Sequence, residues 1–142
     1  MDGLKVSKLQ GAQLDYWVAR AGEVWAWAHE LFPTMTLDPT FKGVELFTFE
    51  GGRTVCRLVP RNPFRQDYRI FTPSTSWEHG GPIIERERIL LWPCTQANYG
   101  NPIRNWTARV ERTPDVQYFS DTPLVAAMRA DVASKFGDEV AA

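Results

Sequence analysis

A chain of 142 residues, of which 44% are apolar, is long enough for one domain with a hydrophobic core. Its formal net charge of -1 predicts no strong general attraction to nucleic acid or to an anionic membrane. The sequence has no apolar run long enough to cross a membrane and no signal peptide at its start, so we expect a cytoplasmic protein. Cys56 and Cys94 are far apart in the sequence and are expected to be reduced.

The first predicted element is a helix over residues 7–21. Ser7 and Gln10 have the spacing of a capping box, in which each side chain satisfies an unpaired backbone donor at the helix start. Apolar residues then recur at helical spacing, at Leu14, Trp17, Val18 and Ala21. A start at Gly11 is the alternative, and it leaves this cap unused. We expect Trp17 to belong to the core.

Residues 23–71 are predicted to contain a hairpin and an insertion or lid. Two apolar segments, 44–49 and 54–59, flank Glu50-Gly51-Gly52-Arg53, which is typical of a tight turn. The preceding residues 23–43 indicate a short amphipathic turn followed by a loop.

The next helix is predicted at residues 82–88, after a turn at residues 75–79. Thr75 and Glu78 fit a second capping box, and Pro82 is best accommodated in the first turn of a helix. Strands are then predicted at residues 89–92 and 106–111. The polar and proline-containing residues 93–105 between them predict a long loop.

The last helix has the strongest signals. Thr122 is a good N-cap, Pro123 suits the first helical position, and Gly137 can end the helix. Its predicted apolar face consists of Leu124, Met128, Val132 and Phe136. The order helix, hairpin, helix, two strands, helix predicts a single α+β domain over residues 1–142, with helices packed on an antiparallel sheet.

Three blocks of sequence resemble one family. The first lies within Leu4–Ala19, the second within Thr72–Ile89, and the third within Asp121–Val140. Together, and in this order, they resemble the bacteriophage NinX-like family, a domain of unknown function found in tailed phages and prophages. The resemblance implies a phage origin and a small helix–sheet–helix α+β fold of a phage accessory domain. It implies no reaction, and it does not extend to residues 25–71.

The sequence contains no catalytic or metal-binding motif. Neither His29 nor His79 stands in an HExxH spacing, and no serine lies in a nucleophile elbow. Glu85 and Glu87 have the chemistry of an acid–base pair, but their alternation with arginines favours solvated charges or salt bridges. We therefore expect a non-enzymatic protein without a metal or cofactor.

Arginines recur at every fourth position from Arg53 to Arg69, where Asp67 is the single acid and the formal charge is +4. Clustered arginines beside aromatic side chains can hold a phosphate and stack a base, although the same pattern fits a solvated strand edge. Hydroxyls at residues 72–76 either bind a phosphate at a helix start or cap the helix. The predicted ligand-binding residues are Arg57, Arg61, Arg65, Arg69, Ser74, Thr75, Trp77 and Tyr99.

The leading hypothesis is a homo-oligomeric phage accessory protein that binds a nucleotide-like, phosphate-bearing ligand. Its biological role would be to sequester a host antiviral signalling nucleotide. The alternative is a module that inhibits or recruits a host or phage protein, with Trp25, Trp27 and Phe32 as anchors. The third hypothesis is a nucleic-acid-binding helper in replication or recombination, which the net charge disfavours.

Overall fold

The computed structural model describes residues 3–22, 41–60, 69–98 and 101–141, with side chains described for 3–22, 44–59, 70–94 and 105–141. Within these ranges the helices are α1 (Gly11–Ala21), α2 (Trp77–Glu87) and α3 (Pro123–Phe136). The strands are β1 (Leu4–Lys5), β2 (Phe41–Thr48), β3 (Thr54–Pro60), β4 (Arg69–Ile70), β5 (Ile89–Asn98), β6 (Asn101–Val110), β7 (Tyr118–Ser120) and β8 (Glu139–Val140). The amphipathic turn and most of the following loop, predicted within residues 23–43, lie outside the described residues.

The described strands form three small antiparallel sheets, with the orders β2-β3-β4, β5-β6-β7 and β1-β8. Helix α1 packs on β3 and on α3, and α3 in turn packs on β5, β6 and β7. Two helices therefore lie between two sheets. The α+β prediction is confirmed, but the prediction of a single sheet is wrong because the helices separate the strands into distinct sets.

Helix α3 is the most buried helix, as its central position between α1 and the second sheet requires. Met128 and Val132 are fully buried, and small residues let the backbone approach both neighbours closely. These are Ala126, Ala127, Ala130 and Ala133. The predicted ends are confirmed, because the Thr122 hydroxyl accepts a hydrogen bond from the Val125 N–H at 3.3 Å and the helix ends at Phe136.

Helix α1 begins later than the capping-box pattern predicts. Residues Val6–Lys8 form a separate 3-10 turn, Gln10 is extended, and Gly11 has a φ of 60°. This left-handed backbone favours glycine and breaks the path from the short turn into the helix. The predicted start and its Ser7–Gln10 box are therefore wrong, and the alternative start at Gly11 is correct.

Helix α2 is one continuous helix rather than a turn followed by a short helix. Its N-cap is Ser76, so the predicted Thr75–Glu78 box is wrong, and Pro82 lies inside the helix. A proline there removes one backbone hydrogen bond. Burial of Ile83, which is 0% exposed, offsets part of this cost by anchoring the helix in the core.

The two hairpins differ in how well the sequence predicts them. The β2–β3 hairpin and its turn are confirmed, with the Phe49 N–H bonded to the Arg53 carbonyl at 2.8 Å. The long loop predicted at residues 93–105 is wrong, because β5 and β6 extend as far as Asn98 and Asn101. The prolines in this region are tolerated because β5 is an edge strand and β7 pairs only with residues 106–108 of β6.

Candidate functional site

An open cleft of about 560 Å³ lies between helix α1 and strand β2, and we call it the α1–β2 cleft. Its helix wall consists of Gln13, Tyr16, Trp17 and Arg20, its strand wall of Val44, Glu45 and Leu46, and Leu4 and Ala141 complete the lining. Small-molecule sites commonly fall in this range of volume and combine apolar walls with a few polar groups. The cleft therefore has the size and lining of a ligand site.

The helix wall follows directly from helical spacing. Leu14, Val18 and Ala19 face the core, so the adjoining stripe at positions 13, 16, 17 and 20 lies along the edge of the buried face. Trp17 is only partly buried and also contacts the ring of Phe136 at a centroid distance of 5.4 Å. Trp17 packs against the core, as predicted, and it also lines the cleft.

Arg20 is held over the aromatic side chains of this wall. Its Nη1 donates a hydrogen bond to the Tyr16 hydroxyl at 3.0 Å. Its guanidinium carbon lies 5.8 Å from the Tyr16 ring centroid and 5.6 Å from the Trp17 ring centroid, within the range of cation–π attraction. Arg20 is nevertheless exposed. The cleft therefore offers an oriented, accessible cation beside two aromatic rings.

An ion pair joins β2 to β3 on the hairpin face that points away from the core. Glu45 and Arg57 are cross-strand partners, and the Arg57 Nε donates to the Glu45 Oε1 at 2.7 Å. The Arg57 guanidinium also lies 3.7 Å from the centroid of the Phe47 ring. Arg57, a predicted ligand-binding residue, is thus held by Glu45 and Phe47 on the hairpin face opposite to the buried Cys56 and Leu58, and it is not part of the cleft lining.

The remaining predicted arginines and the tyrosine are not brought to the cleft by any described contact. The register of β3 and β4 places Arg69 opposite Leu58 and not opposite Arg57, and only the backbone of Arg69 is described. Arg61, Arg65 and Tyr99 lie outside the described residues. Their roles stay predictions.

The hydroxyl loop at residues 72–76 is anchored against α1. The side chain of Ser74, a predicted ligand-binding residue, is buried, and its backbone N–H donates to the Asp15 Oδ1 at 2.8 Å. Thr75 is exposed, and Trp77 is 55% exposed at the start of α2. The loop therefore fixes α2 to α1, while Thr75 and Trp77 remain accessible.

Asp15 itself is a buried acid beneath the helix wall. Burial raises its pKa to about 6, against the opposing effect of hydrogen bonds from Ser74. Burial likewise raises the pKa of the Cys56 thiol, and the nearby Asp15 carboxylate raises it further. Cys56 and Cys94 are both free thiols, as predicted.

His79 has a structural role at the same loop. Its Nδ1 accepts a hydrogen bond from the Thr72 backbone N–H at 2.9 Å, and its ring stacks on Phe71 at a centroid distance of 5.6 Å. Partial burial lowers the pKa of His79, although the Glu78 charge opposes this shift. An acceptor Nδ1 and a lowered pKa both favour the neutral imidazole. His29 lies outside the described residues.

A second cluster of charges lies where α2, α3 and the end of β6 meet. The sequence predicts salt bridges of Glu87 with neighbouring arginines, but it does not reveal the partners Arg112 and Lys135. Glu87 accepts hydrogen bonds from Arg86 at 2.9 Å and from Arg112 at 3.0 Å, and it pairs with Lys135 at 3.2 Å. Burial raises the pKa of Glu87, but these three partners outweigh it and hold that pKa below its ordinary value. Glu87 is therefore a structural anion, and Glu85 is exposed on the solvent side of α2.

Asp131 lies behind this cluster in α3. It is 1% exposed, and neither carboxylate oxygen has a hydrogen-bond partner among the residues that the structure describes. Burial and the nearby Glu87 charge raise the pKa of Asp131 to about 7, against the opposing effect of Lys135, Arg86 and Arg112. An acidic residue amid the apolar positions of α3 is the sequence signal that marks this site.

The described part of the chain contains neither a metal-binding cluster nor a membrane-spanning helix. It contains no group of three or more His, Cys, Asp or Glu side chains that can hold a metal ion. Its helices are all too short or too polar to traverse a bilayer.

Comparison with known proteins identifies the family. The family model described as Bacteriophage P22, NinX matches residues 5–135, which is most of the chain. Comparison with curated proteins gives no match. The match spans the three resembling blocks apart from Leu4 and the residues after 135, and it includes both hairpins and the lining of the α1–β2 cleft apart from Leu4 and Ala141. The chain therefore belongs to the bacteriophage P22 NinX family.

Proposed function

We propose that this phage protein is a non-enzymatic binding protein whose α1–β2 cleft takes a nucleotide-like, phosphate-bearing small molecule. The observation that carries the proposal is the position of Arg20 over Tyr16 and Trp17 in an open cleft of about 560 Å³. A guanidinium donates charge-assisted hydrogen bonds to phosphate oxygens. The neighbouring aromatic rings offer stacking surface to a base.

Two further groups of the cleft support the same ligand class. Gln13 lies one turn before Tyr16 and Trp17, and its amide both donates and accepts hydrogen bonds. Leu46 is 44% exposed on the opposite wall and supplies apolar surface. A planar base with polar edges and an anionic substituent satisfies both walls. Binding without turnover agrees with the structural use of His79 and Glu87.

The biological role that fits a phage protein of this kind is sequestration of a nucleotide signal made by the infected host. In this proposal the ligand is held and not converted. Material released from the protein by heat would then be an intact nucleotide. A cleaved or modified product would instead indicate an enzyme.

Arg20→Ala is expected to weaken nucleotide binding about tenfold or more, since a hydrogen bond to a charged group contributes roughly 1.5–3 kcal/mol. The variant should unfold at the same temperature as the original protein, because Arg20 is exposed. Isothermal titration with a panel of mononucleotides and cyclic nucleotides measures the affinity, and differential scanning calorimetry measures the stability.

Arg53→Ala is the matched control, because Arg53 is an exposed arginine in the β2–β3 turn outside the cleft lining. It should leave the affinity unchanged. Failure of every nucleotide in the panel to bind would overturn the proposal. In that event, capture of a host or phage protein would favour the interaction module, and steeply salt-dependent binding of DNA or RNA would favour the nucleic-acid helper.

A further inference from the structure

A second open cleft, of about 570 Å³, lies where the end of α2 adjoins the β5–β6 hairpin, and we call it the α2–β5 cleft. Its helix side consists of Ile84, Glu85 and Arg88, and its sheet side of Ile89, Leu90, Arg109 and Glu111. It shares no lining residue with the α1–β2 cleft. Two arginines and two glutamates lie among these residues, so the lining carries no net charge.

The pairing of β5 with β6 shows which side chains of the sheet face outward. Ile89 and Val110 are cross-strand partners, and both are buried in the core. Since side chains alternate between the two faces of a strand, the next pair, Leu90 and Arg109, points to the opposite face of the sheet. Leu90 is 38% exposed there, and Arg109 is half-buried. An apolar side chain and a guanidinium therefore lie side by side on the sheet side of the cleft.

Glu85 carries the negative charge of the helix side. The buried positions of α2 are Gly80, Ile83 and Glu87. Helical spacing places Glu85 on the side of α2 that faces away from these positions, and it is exposed. The cleft thus has an outward-pointing carboxylate on the helix and an outward-pointing guanidinium on the sheet.

Only two of the four charges have an ion-pair partner. Arg88 and Glu111 pair with each other, and the Glu111 N–H donates to the Arg88 carbonyl at 3.1 Å, so this end of the cleft is held in place. Neither Arg109 nor Glu85 forms an ion pair or a side-chain hydrogen bond with any residue that the structure describes. One positive and one negative group therefore remain available beside the exposed Leu90.

A surface with one free cation and one free anion is complementary to itself. Consider a twofold axis that lies in the interface, midway between the two charges and perpendicular to the line that joins them. It brings each Arg109 opposite the partner's Glu85, and the contact occurs twice. A strongly acidic partner would be repelled by Glu85, and a strongly basic one by Arg109. Charge complementarity therefore favours a second copy of the chain over either kind of partner.

From this arrangement we propose that the α2–β5 cleft is the interface of a twofold-symmetric dimer of this chain. Arg109 pairs with the partner's Glu85 in both directions, and the exposed side chain of Leu90 becomes buried between the subunits. The inference gives the homo-oligomer expected from the sequence a defined surface. It is independent of nucleotide binding, because the two clefts have no residue in common.

The test is sedimentation velocity over a range of protein concentrations, with Arg109→Glu, Glu85→Arg and an equal mixture of the two variants. The original protein should dimerise as its concentration rises. Each variant alone should dimerise roughly tenfold or more weakly, because its dimer contains two contacts between like charges. The mixture should recover the dimer, since in a mixed pair both contacts again join opposite charges.

Arg53→Glu and Glu50→Arg are the matched controls. They make the same charge changes at exposed positions of the β2–β3 turn, outside the cleft lining, and should dimerise like the original protein. Circular dichroism of each variant verifies that it is folded.

Three results would overturn the proposal. The first is an original protein that stays monomeric at every concentration. The second is a dimer that survives both Arg109→Glu and Glu85→Arg, which would place the interface elsewhere. The third is a mixture that remains as monomeric as its two components, which would exclude the pairing of these residues. Recovery in the mixture, in contrast, has no explanation in the folding of either variant alone.

Discussion

Gly80→Ala is expected to lower the free energy of unfolding by roughly 2–3 kcal/mol, as overpacking of a close contact does. Gly80 lies on the buried side of α2. A Cβ atom at this position would stand 2.7 Å from the Pro73 carbonyl oxygen and 2.7 Å from the Leu124 Cδ2. The leucine methyl can move at small cost, but the carbonyl belongs to the anchored loop at residues 72–76.

Two hydrogen bonds hold that loop and prevent easy relaxation. The Ser74 N–H is bonded to Asp15, and the Thr72 N–H is bonded to His79. A methyl group at position 80 therefore displaces either the loop or the helix. Urea unfolding followed by circular dichroism measures the effect.

Gly81→Ala is the control for this prediction. Position 81 lies in the same helix, but a Cβ built there meets no described atom within 4 Å beyond its chain neighbours and the backbone of its own helix. Alanine exceeds glycine in helix propensity by up to about 1 kcal/mol, so this variant should be neutral or more stable. Equal destabilisation by the two substitutions would contradict the close-approach argument and would point to a general need for glycine in this helix.

Asp131→Asn is expected to raise the free energy of unfolding by roughly 2–4 kcal/mol at pH 8, and by little at pH 4. In the folded protein the pKa of Asp131 is about 7, against an ordinary value of 3.8. Between these pH values the unfolded chain releases the proton while the folded protein keeps it. The stability that the protonated acid contributes is thus present below about pH 4 and lost as the pH rises through 7.

Asparagine has the shape of the protonated acid and never acquires a negative charge. The variant therefore does not lose stability as the pH rises. Chemical denaturation at a series of pH values, with both proteins measured at each, isolates the contribution of residue 131. Asp115→Asn, at an exposed position in the turn between β6 and β7, is the control that makes the same substitution on the protein surface. A constant difference between Asp131→Asn and the original protein across the series would contradict the raised pKa.

The contrast between α3 and α2 shows what local sequence can predict. Helix α3 has an N-cap hydroxyl, a proline at the first helical position and a glycine after its end. Each of these residues determines the helix end at which it lies, without help from distant residues. Helix α2 contains Pro82, and local rules assign a proline to a helix start. The burial of Gly80 and Ile83 against other elements outweighs the preference of proline for a helix start. No local sequence pattern reveals this burial.

The candidate site divides in the same way. The stripe of Gln13, Tyr16, Trp17 and Arg20 is visible in the sequence as helical spacing beside the core positions. The opposite wall, formed by residues 44–46 of β2, follows only from the packing of α1 beside β2. Arg57 was selected from its charge pattern, but its pairing with Glu45 depends on the hairpin register. Local spacing thus predicts one wall, and the cleft itself is a tertiary feature.

The central position of α3 has a consequence for how the domain opens. Helix α3 packs on α1 and on the second sheet, so we expect its central amides to exchange mainly when both of these contacts open. Exchange of its amide protons with deuterium therefore reports the global unfolding of the domain. The exposed turn of the β2–β3 hairpin, in contrast, can fray without disturbing α3. The α1–β2 cleft lies between these two regions, with one wall on α1, which packs on α3, and the other on the β2–β3 hairpin.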